Sequence, residues 1–199
     1  MAYITSTDVK VFGGLADSDS FEDVLLAVLI PIAQQLVDTF TERTFEYTNT
    51  SDASVSKTFD ALRDVSGRTL YLDQDLHSIR SISVDGVAIS SDSYVTEPRT
   101  DAPFFGITIL GSSSDSWDYG TDAENAIVID GHWAYSQTPP EDIKVATILT
   151  VEYLMKLRNS DLALTAPIVA DGITIMPSQL PSLVRMILAK YRKVSIGVV

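Results

Sequence analysis

The sequence contains no cysteine. That excludes disulfides and thiolate metal sites, and it suits a reducing compartment. Histidine is nearly as scarce: His77 and His132 are the two present, and neither stands at metal-ligand spacing from another donor. Bases are few, with 14 Lys and Arg against 27 Asp and Glu and a net charge of −13. Nucleic-acid affinity rests on phosphate attraction, so this balance argues against a dedicated DNA or RNA binder. Long apolar runs are missing as well. The longest uncharged one, Val24 to Ala33, is about half of what a membrane span needs, so no membrane is expected as a partner. No basic segment followed by an apolar stretch opens the chain, and a signal peptide is not expected.

Catalytic patterns are absent too. There is no G-x-S-x-G elbow, and Gly111 followed by Ser112, Ser113 and Ser114 is ordinary loop composition. Gly13-Gly14 lacks the lysine and spacing of a phosphate loop. His132, beside Trp133, reads as a half-exposed strand residue rather than a general base. Asp17, Asp19 and Asp23 resemble the start of a calcium loop, but Phe21 and Val28 occupy positions where ligands are required. In the denser group Asp115, Asp118, Asp122 and Glu124, Trp117 and Tyr119 interrupt the ligand pattern and Ala126 replaces the closing Glu. Both groups read as solvated acidic loops. The expectation is a protein with no catalytic residues, no metal and no cofactor.

What is present is an ordered, mixed chain of 199 residues, 45% hydrophobic and 21% charged, long enough for one good core or two small ones. Its charge is uneven. Residues 1–54 hold nine acids and two bases, residues 55–136 thirteen and five, and residues 137–199 five and seven. The four bases beyond Val184 face no nearby acid in the sequence.

Thr7 and Asp8 open a short helical turn that Gly13 and Gly14 close. Ser20 with Asp23 makes a capping-box-like start to a long helix reaching about Thr41. Phe21, Leu25, Leu29, Leu36 and Phe40 recur at helical spacing, while Val24, Leu26, Val28, Ile30 and Ile32 occupy its other faces. A helix apolar nearly all round wants cover on several sides, from its own chain or from neighbouring subunits. Pro31 predicts a kink.

From about Asn49, Ser, Thr, Asp and Gly clusters punctuate short β-type runs at 69–72, 81–84, 87–89, 94–96, 104–110 and 126–129. Asp85-Gly86 is a strong two-residue hairpin signal. These runs predict a compact antiparallel barrel or sandwich. Gly111 to Asn125 reads as a mobile surface loop, with Trp117 and Tyr119 as contact-surface candidates. Trp133 and Tyr135, on one face of their strand, are expected to close the β core.

The apolar run Ile127, Val128, Ile129 leads through Gly131, Trp133 and Tyr135 to a stop at Thr138, Pro139 and Pro140, and a helix follows from Glu141 to about Arg158. Thr138 is placed to cap it, with Pro139 in the first helical position and Glu141 completing a capping box. A last helix starts near Pro181. The chain ends on Lys190, Tyr191, Arg192 and Lys193, then Val194, Ser195, Ile196, Gly197, Val198 and Val199. This basic, then β-prone tail reads either as a frayed end or as a docking segment that adds an extended strand to a partner.

The order of these features resembles the head-tail connector proteins of tailed bacteriophages, also called adaptor or head-completion proteins. The pieces that carry it are Tyr3-Ile4-Thr5 with Asp8-Val9-Lys10, the acidic loop before the helix Leu25 to Phe40, and Thr41-Glu42-Arg43-Thr44-Phe45. Leu70-Tyr71-Leu72-Asp73, Leu76, Ile79, Ile82 to Val84 and Asp85-Gly86 follow. Gly131-His132-Trp133-Ala134-Tyr135, Pro140-Glu141-Asp142-Ile143 and Pro181 to Arg192 complete the set.

The resemblance implies an α+β fold: a small helical bundle from residues 1–54 and 137–199, carrying an inserted antiparallel β-rich domain at 55–136. It implies a homo-oligomeric ring, usually of twelve subunits, made in the host cytoplasm and placed in the virion neck below the portal. The ring would extend the DNA channel, touch DNA only passively, and offer a platform to a stopper or tail-completion protein. Portal docking maps onto Leu188, Lys190, Tyr191, Arg192, Lys193, Val194, Ile196, Val198 and Val199. Channel or interface loops map onto Asp17, Asp19, Asp23, Asp115, Trp117, Asp118, Tyr119 and Asp122. A β-rich carbohydrate- or receptor-binding module of a virion or cell surface is the alternative reading, with Trp117 or Tyr119 as the stacking residue.

Overall fold

A computed structural model describes residues 2–14, 20–47, 54–159, 168–170, 173–175 and 180–193. The chain divides into two compact units, one of residues Ala2–Glu42 with Pro139–Lys193, the other of Arg43–Thr138. The fold is α+β, as expected.

In the helical unit, α1 (Ser6–Gly13) begins with a full capping box in which Thr5 and Asp8 exchange hydrogen bonds. It ends at Gly14, whose φ of 66° is the left-handed cap that glycine adopts without strain. The long helix α2 (Ser20–Thr41) runs unbroken through Pro31. Pro31 and Ala27 face solvent, where water can satisfy the Ala27 carbonyl. Glu42 follows with φ 57°, a left-handed residue at the helix end that is not glycine. The central helix α3 (Glu141–Asn159) buries Ile143, Ala146 and Val151, and its buried Thr147 and Thr150 hydroxyls donate to the carbonyls of Ile143 and Ala146. α4 (Ser182–Ala189) adds buried Val184 and Leu188.

α3 begins at Glu141 as expected, but not with the cap that Thr138 and Pro139 predict. The Pro140 carbonyl accepts from the Lys144 amide at 3.1 Å, making Glu141 the first helical residue, and Thr138 lies before it. The reason is steric: a residue that precedes proline is pushed out of the α region, so Pro139 cannot begin a helix ahead of Pro140.

By length and composition α2 over Glu22–Thr41 also passes for a membrane span, with mean hydropathy 1.6. Core helices of soluble bundles pass the same test, and Leu26, Ile30, Ala33 and Val37 are buried in the bundle.

The β unit is two antiparallel sheets around one core. β1 (Val55–Phe59), β8 (Ile127–His132), β4 (Ser78–Val84) and β5 (Val87–Ala88) form the first in that order. β2 (Val65–Ser66), β3 (Thr69–Leu76), β7 (Phe104–Ile109) and β6 (Tyr94–Glu97) form the second. The single residue His77 separates β3 from β4, so the chain turns a corner there and changes sheet. Asp85 (φ 48°) and Gly86 (φ 78°) make the predicted two-residue hairpin turn. Gly131 is required by contact: a Cβ there would stand 2.4 Å from the Ser78 carbonyl oxygen. Phe59, Leu70, Leu76, Ile82, Ile107, Ile127 and Ile129 fill the space between the sheets. Two further strands, β9 (Ile168–Ala170) and β10 (Ile173–Ile175), pair with each other between α3 and α4.

Candidate assembly surfaces

The acidic loop of the β unit is held down rather than loose. Trp117 is buried in the β core, and its indole N–H donates to the Arg68 carbonyl at 2.9 Å. The Arg68 guanidinium donates to the carbonyls of Ile109, Leu110, Ser113 and Asp115. The Ala123 carbonyl accepts from Ala61 at 2.9 Å, and the Asp85 carboxylate accepts from the Gly120 amide. A single arginine at the surface thus satisfies carbonyls that would otherwise need water. Trp117 is therefore a core residue, which corrects its assignment as a surface aromatic, and it contributes to a partner surface only as part of the wall of the cleft beside Tyr119. Asp118, Tyr119 and Asp122 remain exposed and Asp115 is half-buried. Tyr119 borders an open cleft of about 440 Å³ with Leu62, Arg68 and Asp118.

Trp133 packs against the β core as expected, whereas Tyr135 does not; both lie past the end of β8 at His132 rather than on one face of the strand. Trp133 stacks 5.7 Å from Phe59 and donates to the Val55 carbonyl at 2.8 Å. Tyr135 lies 5.4 Å from Phe45, beneath the Arg43 guanidinium that pairs with buried Asp75 at 2.7 Å. The two histidines flank Tyr47, with ring centroids at 5.3 Å for His77 and 4.4 Å for His132. Burial holds the His77 imidazole below its ordinary range. His132 shares a 2.8 Å hydrogen bond with the Ser78 hydroxyl. Among the described residues no group of three His, Asp or Glu is placed to hold a metal ion.

In the helical unit, Asp23 is committed. It pairs at 2.7 Å with Lys10, a lysine that is almost wholly buried. Asp17 and Asp19 lie outside the described residues, as do Val194, Ile196, Val198 and Val199. Leu188 is a core residue and cannot dock a partner by its side chain, because the bundle already covers it. Lys190 pairs with Asp142, and the Tyr191 hydroxyl donates to the same carboxylate at 2.7 Å. Burial raises the Asp142 carboxyl, but these two hydrogen bonds outweigh it and hold it below the usual range. The Lys193 amide donates to the Thr41 carbonyl at 2.9 Å. The segment from Lys190 to Lys193 is thus fastened to the bundle, with Arg192 exposed.

The sequence reading left one surface without a face. α2 buries Leu26, Ile30, Ala33 and Val37 and turns Val24, Val28, Ile32 and Leu36 outward, with exposures of 71, 58, 43 and 37%. At 100° per residue these four lie opposite the buried set. No charged residue occurs between Asp23 and Asp38. A second apolar feature is a groove of about 350 Å³ between α1 and α3, where Val11 and Phe12 are exposed beside Val145 and Ile148. The all-round apolarity of α2 signalled such a surface; only the fold shows which side is left over.

Comparison with known proteins bears on all of this. A solved structure described as the neck of an empty GTA particle computed with C6 symmetry is similar at TM-score 0.60 and 12% identity, covering 98% of this chain and 91% of that one. The neck of a native GTA particle computed with C12 symmetry is similar at TM-score 0.54 and 13% identity, over 87% and 85% of the two chains. A virion of a native gene transfer agent (GTA) particle contains a chain similar at TM-score 0.55 and 15% identity, over 92% and 84%. At these identities the likeness is one of fold. No curated protein matches the sequence. Residues 2–194 match the family described as head completion protein, and the chain belongs to that family.

Proposed function

We propose that the protein is a structural component of a virion neck, forming a homo-oligomeric ring of twelve copies below the portal. There it extends the DNA channel and carries the next neck or tail protein. The observation that carries this reading is the outward apolar face of α2 in a member of the head completion family. A soluble subunit keeps such a face only where another surface covers it in the working state. Solved necks of similar fold, computed with C6 and C12 symmetry, agree with a cyclic arrangement. The net charge of −13 suits a channel wall that DNA passes without sticking. The exposed acids Asp118 and Asp122 are candidates for that wall or for contacts between subunits.

Portal docking falls to Arg192 and to Val194–Val199, because Leu188, Lys190, Tyr191 and Lys193 already serve the bundle. Deleting residues 194–199 should leave the melting temperature within about 2 °C of the full chain and abolish attachment to DNA-filled heads. Truncated chain that still joins heads at normal occupancy refutes the docking role. Electron microscopy of particles tests the ring itself: copies of this chain in any arrangement other than a closed ring under the portal would end the proposal.

A further inference from the structure

Resting on that ring reading, we infer that the contact between neighbouring copies is heterologous: the α2 ridge of one copy seats in the α1–α3 groove of the next. A closed cyclic ring needs two unlike patches on each subunit, each meeting the other's counterpart. The helical unit carries two features of that kind. One is convex, the ridge Val24, Val28, Ile32 and Leu36, extending roughly 18 Å along α2 at the helical rise. The other is concave, the groove with exposed Val11 and Phe12 over Val145 and Ile148.

Charge decides the occupant. Copies with a net charge of −13 repel one another, so a close contact is cheapest where neither face carries an unpaired charge. The ridge holds none between Asp23 and Asp38; at its ends Asp23 is ion-paired with Lys10, and Asp38 accepts a hydrogen bond from the Tyr3 hydroxyl at 2.6 Å. The groove's charged groups lie at its rim and have partners within the chain. Thr5 donates to the Asp8 carboxylate, and Lys144 pairs with Glu141 at 2.7 Å. An apolar ridge seated there brings no charged side chain of its own between Asp23 and Asp38, so it avoids the usual cost of burying a charge at the centre of a contact. A second copy of this chain therefore fits the ridge better than a charged partner does.

Because the chain has no cysteine, disulfide trapping reads the contact directly. Particles completed with a chain carrying Val28→Cys and Phe12→Cys, then oxidised and denatured, should yield a ladder of covalent multimers of this chain. Each single variant should yield monomer. Ile32→Cys with Val11→Cys is an independent pair expected to give the same ladder. Dimers from Val28→Cys alone mean ridge-on-ridge packing and overturn the inference, as does a ladder formed with Met186→Cys in place of Phe12→Cys. Vesicle binding by the wild-type chain that Val28→Glu abolishes overturns it in favour of a membrane. Double-variant chains seen in rings without either ladder overturn the inference and leave the ring standing. A wild-type chain absent from particles, or present without a ring, overturns the ring reading itself.

Discussion

The β unit and the helical unit use the same kinds of side chain to opposite ends. In the β unit two sheets enclose Leu70, Ile107, Ile127 and Ile129 from both sides, and the acidic loop is pinned through Arg68 and Trp117. Its apolar surface is mostly spent on its own stability. In the helical unit α2 is apolar on two sides and the bundle uses one of them. The contrast teaches that hydrophobic content does not report stability: a valine facing water on α2 and an isoleucine in the sandwich have similar hydropathy and different work.

The sharpest way to break this comparison is a pair of truncations. Ile129→Ala removes side-chain atoms from a fully enclosed site and should cost about 2–5 kcal/mol of unfolding free energy. Val28→Ser, more than half exposed, should stay within about 0.5 kcal/mol of the parent while reducing incorporation into particles. Equal losses of stability in denaturant melts of the two variants would show that α2 is covered within the monomer.

A smaller effect sharpens the energetics of α2. Burial pushes the Asp38 carboxyl up to about 6, against the lowering effect of the Tyr3 hydroxyl bond. A raised folded-state pKa means that the stabilising contribution is present below the unfolded value near 4 and is lost as pH climbs through about 6. Asp38→Asn should therefore be more stable than the parent by about 1–2 kcal/mol at pH 8, discounted for partial solvent access. The gain should vanish below pH 4, and thermal melts across that range decide it. The smallest effect belongs to the helix end. Glu42→Gly at φ 57° should stabilise the helical unit by about 0.5–1 kcal/mol, and no change in the melt would mean that Glu42 suffers no strain there.

Much of the fold is legible in the residues, and the misses have physical causes. The hairpin at Asp85-Gly86 and the β runs from Thr69 to Ile129 declare themselves by turn chemistry and β-branched content. β1 does not: Val55-Ser56-Lys57-Thr58-Phe59 sits after a Ser/Thr/Asp cluster, and its strand form depends on pairing with β8, some seventy positions away. Trp117 was hidden by its company, because acids and serines around it signal solvent while Arg68, distant in sequence, supplies the donors that fold the segment inward. The ridge on α2 was half legible. Apolarity on every side says that the helix is covered, but without a polar face the periodicity has no phase, and the side left for a neighbour emerges only from the packing.

The two ends of the β unit meet. The Tyr135 amide donates to the Thr44 carbonyl at 2.8 Å, and the Ser136 hydroxyl donates to the Phe45 carbonyl at 3.0 Å. An excursion of about ninety residues thus leaves and rejoins the helical frame through a doorway one hydrogen bond wide. Closing so small a gap with a short turn costs little chain entropy, so the length of the excursion between these ends places almost no entropic demand on the residues that flank it.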